Sequence, residues 1–164
     1  MSSIKHIAII GAGIAGLALA IFARKQGIKV TLFEKNNSFS TIGAGVTLWP
    51  NATFVLEQLG LIDDFTQCGG QPVAMQQYDK QATQLGEFNI QTLNSLCGFP
   101  TISILRRDLI KILAERLEKL GATIHYNQAV NTQDIAQLKD KFDLIVGCDG
   151  RMQSKAREYL YKVP

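Results

Sequence analysis

Apolar positions change their spacing along the chain, and each change marks the boundary of a predicted element. Residues 4–10 form an isoleucine-rich run that is typical of a strand buried on both faces. Residues 14–26 have the apolar content of a packed helix, which Gly27 would end. Residues 28–33 predict a second strand. These segments predict one strand–helix–strand unit with parallel strands.

The remaining two thirds of the chain predict a mixture of helices and strands. A helix begins at Pro50 and ends at Gly60, and residues 107–120 form the clearest amphipathic helix, with leucines along one stripe. We expect residues 93–100 to be irregular. Short strand-like runs flank a polar turn and predict antiparallel strands outside the parallel sheet. The other predicted segments are strands at 73–78, 85–90, 122–126 and 142–146, a short helix at 132–139, and a partly helical tail at 151–164.

Length and charge exclude several classes of protein. The chain has 164 residues, of which 46% are hydrophobic, which is enough for one buried core. The net charge is +3 and the basic residues are scattered, so we expect neither a nucleic-acid partner nor a membrane surface. Residues 7–23 are almost wholly apolar, but glycines interrupt them and they are shorter than the ~20 residues of a membrane span.

The reactive side chains do not form a site of their own. Cys68, Cys97 and Cys148 lie far apart without a CxxC pair, so we expect no disulfide and no metal site. We interpret them as small, mostly buried residues of a cytoplasmic protein. His6 and His125 are isolated on predicted strands, and we interpret both as structural residues. No catalytic side chain is identified.

The strongest chemical signal is a glycine motif between the first strand and the first helix. Gly11, Gly13 and Gly16 follow the GxGxxG spacing, with Ile14 and Ala15 at the helix start. The first glycine allows a tight turn, the second lets a pyrophosphate approach the backbone, and the third lets the helix lie close to the strand. The helix N-terminus offers unpaired N–H groups and partial positive charge to phosphates.

An acidic residue strengthens the case for a dinucleotide. Glu34 follows the second strand, 23 positions after Gly11. A carboxylate there can accept hydrogen bonds from ribose hydroxyls and would repel a 2′-phosphate, which disfavours NADP as the ligand of this fold. The alternative is that the glycines only tighten the packing and Glu34 is a solvated charge. The motif alone leaves FAD and NAD open.

Further motifs resemble those of single-component FAD monooxygenases, the salicylate hydroxylase-like group. They occur in the family's order and cover nearly the whole chain. The matching stretches are GAGVTLWPNA at 43–52, LEQLGL at 56–61, RRDL at 106–109 and DLIVGCDG at 143–150, followed by Ser154 and Arg157. The resemblance implies an α/β, Rossmann-like FAD-binding fold of the glutathione-reductase and p-hydroxybenzoate-hydroxylase type.

The resemblance also implies cofactor contacts outside the glycine motif and Glu34. Lys35 would lie near the adenine end of FAD, and Gly45 and Val46 would pass beside the isoalloxazine ring. Arg106 matches a family arginine that contacts the cofactor. From the residues alone, an arginine at a helix start opposes the helix dipole and suits an anionic partner, although a surface arginine is an alternative.

The last motif both matches the family and departs from it. Asp149 and Gly150 would contact the ribityl or ribose side of the flavin, and the carboxyl end of a buried strand is where open α/β sheets place ligand contacts. The family usually has DGxxS, whereas this chain has one more residue before Ser154. Gly43 stands where the branch that hydroxylates p-hydroxybenzoate has an arginine, which disfavours that substrate.

The resemblance predicts that 1–164 form an FAD-binding domain whose parallel sheet is incomplete. Residues 71–105 would be an excursion into the family's substrate-covering sheet. The later GDAAH-type stretch of the family is absent from the sequence, so we expect its C-terminal half to be missing. Apolar surface meant for that half would then be exposed and could cause self-association.

The family's activity gives the functional hypothesis. In that family NAD(P)H reduces FAD, and O₂ supplies an oxygen atom that is transferred to an aromatic or similar small molecule. We expect this chain to be the FAD-binding part of such an enzyme. The alternatives are an inactive FAD-binding remnant or interaction module, and a related flavin reductase or halogenase. An NAD-linked dehydrogenase is a further alternative, but no part of this sequence resembles a dehydrogenase substrate domain.

Overall fold

The computed structural model describes residues 4–39 and 43–161. Eight strands and seven helices are assigned within those ranges. The strands are β1 (His6–Ile10), β2 (Lys29–Phe33), β3 (Gly45–Leu48), β4 (Ala74–Tyr78), β5 (Gln84–Asn89), β6 (Ile102–Leu105), β7 (Thr123–His125) and β8 (Leu144–Gly147). The helices are α1 (Ile14–Lys25), α2 (Pro50–Leu59), α3 (Ile62–Cys68), α4 (Ile90–Cys97), α5 (Arg106–Lys119), α6 (Thr132–Leu138) and α7 (Lys155–Tyr161).

The described chain forms two compact units. The first contains the residues up to 39 and those from Ile110 onward, and the second contains 43–109. In the first unit four strands form a parallel sheet in the order β7-β2-β1-β8. This arrangement confirms the predicted strand–helix–strand unit and the predicted α/β class. It also brings the carboxyl ends of all four strands to one edge of the sheet.

Apolar side chains of β1 and β2 supply the centre of the first unit. Ala8, Ile10 and Phe33 belong to a cluster on one face, which Val130 and Ile135 complete. Strand alternation directs Ile7, Ile9 and Leu32 to the other face, where α1 packs. Because both faces are covered, the strands can be almost continuously apolar, as the isoleucine run predicted.

The second unit contains two antiparallel pairs. Strands β4 and β5 form the predicted antiparallel hairpin. Strand β3 pairs with β6 from Gly45 opposite Leu105 to Leu48 opposite Ile102, a pairing that the sequence did not indicate. Helix α2 begins at Pro50 and is stopped by Gly60, as predicted, and Gly60 has a left-handed conformation.

The prediction that 93–100 are irregular is wrong for most of that segment. Helix α4 occupies 90–97, because the Asn89 side chain caps it by accepting a 2.8 Å hydrogen bond from the Thr92 N–H. Gly98 ends it with a φ of 74°. Ile90 is buried, whereas Leu96 is exposed, so only a narrow apolar face signals this helix. Helix α3, with two aspartates in its first turn, was also not predicted.

The partly helical tail is present as α7, and its last three residues lie outside the described residues. The interpretation of the cysteines as mostly buried is wrong for two of the three. Cys68 and Cys97 are exposed, and only Cys148 is partly buried.

We expect Asp143 to stabilise the junction between β1 and β8. Its Oδ2 accepts 2.8 Å hydrogen bonds from the backbone N–H groups of Lys5 and His6. The hydrogen bond from the Lys5 N–H lowers the pKa of Asp143 most, and the bond from the His6 N–H lowers it further. The positive charges of His6 and Lys5 act in the same direction. A lowered folded-state pKa gives stability that is complete above the unfolded pKa of about 3.9 and is lost as pH falls through the folded value.

Asp143→Asn should therefore lower the free energy of unfolding at pH 7, measured by urea denaturation, and the difference from wild type should shrink below about pH 4. Asp140→Asn, in the preceding exposed turn, is the matched control and should leave stability unchanged. Equal stability of Asp143→Asn and wild type at pH 7, or a difference that does not depend on pH, would contradict this role.

Candidate functional site

The glycine motif forms a tight turn between β1 and α1. Gly11 has a φ of 100°, and a Cβ atom there would collide with the Cys148 carbonyl oxygen, so only glycine fits. A Cβ atom at Gly16 would collide with the Gly11 carbonyl oxygen, so this glycine lets the first turn of α1 lie against the turn that precedes it. These two positions therefore place the start of α1 at the end of β1.

Gly13 has a different role from its neighbours. It is the residue before α1, its backbone is extended, and it supplies no side chain to cap the helix. A Cβ atom there would find no atom within 4 Å. The first turn of α1 contains no acidic residue. The helix N-terminus thus faces open space, and no acidic side chain in the first turn offsets its partial positive charge. This arrangement suits an anionic group.

Glu34 is fixed at the end of β2 and beside the glycine turn. Its side chain is only 9% exposed. The Ala12 N–H donates a 2.9 Å hydrogen bond to Oε2, and the backbone N–H of Asn36 donates a 2.9 Å bond to Oε1. The Asn36 Nδ2 donates a further 2.7 Å bond to Oε1. The interpretation of Glu34 as a solvated charge is therefore wrong.

A cavity of about 500 Å³ lies at the carboxyl ends of the parallel strands of the first unit. Six of the predicted site residues line it, and they come from three separate parts of the chain. They are Gly11, Gly13, Glu34, Lys35, Asp149 and Gly150. Ile14, Ala15 and Gly16 form the first turn of α1, directly after the lining residue Gly13.

Asp149 contacts the start of α7 with its carboxylate. Its Oδ1 accepts a 2.7 Å hydrogen bond from the Ser154 hydroxyl, and its Oδ2 accepts a 2.6 Å bond from the Lys155 N–H. In the loop that carries the additional residue, Gly150 (φ 89°) and Gln153 (φ 56°) have left-handed conformations. Asp149 therefore lines the cavity while its carboxylate caps the following helix.

Three predicted site residues lie in the second unit. Gly45 and Val46 begin β3, and Arg106 begins α5 with an exposed side chain. The Arg106 N–H donates a 3.3 Å hydrogen bond to the Ala44 carbonyl, which places these residues together. A Cβ atom at Gly43 would lie 3.2 Å from the Arg106 side chain, so a larger residue there would crowd this arginine.

Several lining residues were missed by the sequence analysis. Asn36 follows Glu34 by two positions, and four consecutive residues follow β7, which is the neighbour of β2 in the sheet. The rule that ligands bind at the carboxyl ends of parallel strands could have found the segment after β7. The missed residues are Ile10, Asn36, Gln128, Ala129, Val130, Asn131, Cys148, Gln153 and Lys155.

Within residues 4–39 and 43–161, no group of three or more His, Cys, Asp or Glu side chains could hold a metal ion. None of the helices in the same ranges has the length and apolar character needed to cross a membrane.

Comparison with known families identifies the chain. The family described as FAD binding domain matches residues 5–161. The chain belongs to this family. FAD is thus the cofactor of this domain.

The relatives of this FAD binding domain are FAD-dependent monooxygenases. OpS4 of Beauveria bassiana is 29% identical over 176 residues, which cover 98% of this chain and 41% of the relative. The 6-hydroxynicotinate 3-monooxygenase of Bordetella bronchiseptica is 26% identical over 98% of this chain and 44% of its own length. The chain thus spans less than half the length of these relatives.

Solved structures give the same picture. A mutant of 2-methyl-3-hydroxypyridine-5-carboxylic acid oxygenase superposes with a TM-score of 0.79 at 28% identity, over 96% of this chain and 42% of that chain. This likeness confirms the predicted Rossmann-like fold of the FAD-binding monooxygenases.

The residues around the cavity fit the adenosine diphosphate part of FAD. Open space next to Gly13, at the N-terminus of a twelve-residue helix, suits a phosphate group. A hydrogen-bonded carboxylate at Glu34 suits a ribose hydroxyl. Lys35 and Lys155 add positive charge to the lining. The cavity thus combines groups for phosphate and for sugar in one space.

We expect Cys148 to be the least reactive of the three thiols. Partial burial raises the pKa of Cys148, and the neighbouring charge of Asp149 raises it further. The thiol therefore stays protonated at neutral pH, and thiolate is the form that reacts. Iodoacetamide at pH 7.5 should alkylate Cys148 more slowly than the exposed Cys68 and Cys97, as measured by peptide mass spectrometry. Equal rates at the three positions would contradict this expectation.

Proposed function

We propose that this chain is the FAD-binding part of an NAD(P)H-dependent flavin monooxygenase that hydroxylates an aromatic or similar small molecule. One observation carries the proposal: a single cavity is lined both by the glycine turn at the start of α1 and by the buried carboxylate of Glu34. A dinucleotide needs a phosphate site and a sugar site at a fixed separation, and the helix N-terminus and the carboxylate at this edge of the sheet are the groups that support the proposal.

The pyrophosphate would lie at the N-terminus of α1. The exposed N–H groups at the N-terminus of α1 would donate hydrogen bonds to phosphate oxygens, and the helix dipole would favour their negative charge. Gly13 leaves room for this approach because it has no side chain. Gly11 and Gly16 would act indirectly, by holding the turn and the helix in position.

The ribose would then lie against Glu34. The carboxylate is held by backbone and side-chain N–H groups, so it does not have to be ordered when the sugar binds. Lys35 would lie near the adenine end. Asp149 would fix the loop at Gly150 beside the cofactor, since its carboxylate is engaged by the start of α7.

The oxygenase activity is proposed from the relatives. Their names include oxygenases of 6-hydroxynicotinate and of a hydroxypyridine carboxylic acid, which are aromatic nitrogen heterocycles. The chemistry that FAD would supply when bound is the transfer of two electrons from NAD(P)H to O₂, of which one oxygen atom goes to the substrate and the other to water. The residues of this chain would bind and orient that cofactor. Gly45, Val46 and Arg106 are proposed cofactor contacts in the second unit.

Two further predictions remain proposals. The three cysteines are free, as a reducing compartment would keep them, so we place the protein in the cytoplasm. In the first unit Met152 is 74% exposed, Leu160 70% and Tyr161 71%. Exposed apolar surface of this kind favours self-association.

FAD binding by Gly13→Ala tests the proposed phosphate site. The extended backbone and open space at Gly13 accept a methyl group, so we expect a loss in free energy of unfolding of about 1 kcal/mol or less. The methyl group would occupy the position of the phosphate, so FAD affinity, measured by quenching of flavin fluorescence, should fall at least roughly ten-fold.

Gly86→Ala is the matched control, because a Cβ atom at this strand position in the second unit also meets no atom within 4 Å. It should keep both stability and FAD affinity. Failure of wild type to bind FAD, or wild-type affinity in a folded Gly13→Ala variant, would contradict the proposed function.

A further inference from the structure

Asn36 makes two hydrogen bonds to the same oxygen of Glu34. Its backbone N–H donates at 2.9 Å and its Nδ2 donates at 2.7 Å, both to Oε1. Asn36 also lines the cavity beside Glu34. The third donor to this carboxylate is the backbone N–H of Ala12, which bonds Oε2 at 2.9 Å.

The donors leave the carboxylate with an unequal capacity to bind a ligand. A carboxylate has about four acceptor positions, two on each oxygen. Asn36 occupies both positions on Oε1, whereas Ala12 occupies one position on Oε2. Among the donors of residues 4–39 and 43–161, none is recorded at the second acceptor position of Oε2, which is the oxygen bonded to the glycine turn.

The turn that carries Asn36 is itself anchored to the neighbouring strand. The Glu34 N–H donates a 2.8 Å hydrogen bond to the His125 carbonyl, and the Gln128 N–H donates a 2.8 Å bond to the Glu34 carbonyl. The Asn127 N–H donates a 3.0 Å bond to the Asn36 carbonyl. The backbone on both sides of the carboxylate is thus fixed, which fixes the direction from which the Asn36 amide approaches it.

We propose that Asn36 is a positioning residue for the adenosine ribose of the dinucleotide, and that it acts through Glu34. This inference rests on the proposed function. By occupying Oε1, the Asn36 amide directs the remaining acceptor position of Oε2 toward one ribose hydroxyl. Without the amide two backbone donors still hold the carboxylate, but Oε1 regains an acceptor position, so the alignment of Oε2 toward the sugar is weaker and part of the binding energy goes into restoring it.

A comparison of FAD with FMN tests the proposal, because FMN lacks the adenosine. Asn36→Ala removes the Nδ2 donor and leaves the backbone donor in place. FAD affinity should fall roughly ten-fold, and FMN affinity should stay within about two-fold of wild type, as measured by flavin fluorescence. Asn37→Ala is the matched control, since Asn37 is the next residue and does not line the cavity, and it should change neither affinity.

The Glu34→Ala background separates positioning from direct contact. If Asn36 acts through Glu34, Asn36→Ala should cause no further loss of FAD affinity in a Glu34→Ala variant. A ten-fold loss that persists in that background would overturn the proposal in favour of a direct contact. Lower stability of Asn36→Ala with an unchanged ratio of FAD to FMN affinity would also overturn it, because the amide would then be only structural.

Failure of the proposed function would look different. Wild type would bind FAD no better than FMN, or neither of them, before any substitution is made. The hydrogen bond itself can still be tested without a cofactor. The Asn36 side-chain amide protons should resonate downfield in wild type relative to Glu34→Ala, and equal shifts in the two proteins would overturn the proposed contact between the side chains.

Discussion

The hydrogen bond from the Ala12 N–H to the Glu34 carboxylate connects the two halves of the cavity. It joins the turn after β1 to the residue after β2, at a length of 2.9 Å and in a buried setting. A buried carboxylate without donors would cost several kcal/mol, so the donors and the acid stabilise each other in this position. The location of the Glu34 carboxylate relative to the helix N-terminus follows from this contact.

The parallel sheet makes that contact possible. Strands β1 and β2 are paired from His6 with Lys29 to Ile10 with Phe33, so the residues that follow them emerge at the same edge. The Gly11 N–H continues the pairing with a 2.8 Å hydrogen bond to the Phe33 carbonyl. On the other side of β1, the Cys148 N–H donates a 2.7 Å bond to the Ile10 carbonyl and brings the Asp149 loop to that edge.

Much of this arrangement could be predicted from sequence, because its signals are local. The glycine spacing predicted a tight turn at Gly11 and a close approach at Gly16; in the structure Gly11 has a φ of 100° and the Gly11 carbonyl oxygen lies against Gly16. The apolar runs of β1 and β2 mark strands that are covered on both faces. The position of Glu34 directly after the second strand then follows from the spacing of residues along the sequence.

The parts that sequence reasoning missed depend on contacts between distant segments. Asn36 gives no signal by itself, since asparagine is common in turns, and its role appears only when its amide is seen on Oε1. The lining segment after β7 becomes visible once β7 is known to pair with β2. Helix α4 was missed because its boundary is set by the Asn89 cap rather than by a broad apolar face.

An amide NMR titration of the chain with FAD tests the central claim most directly. The claim is that pyrophosphate lies at the start of α1 while ribose lies on Glu34. It predicts that the largest shifts occur at the backbone N–H groups of Gly13, Ile14 and Asn36. The largest shifts at residues that do not line the cavity, with those three N–H groups unchanged, would contradict it.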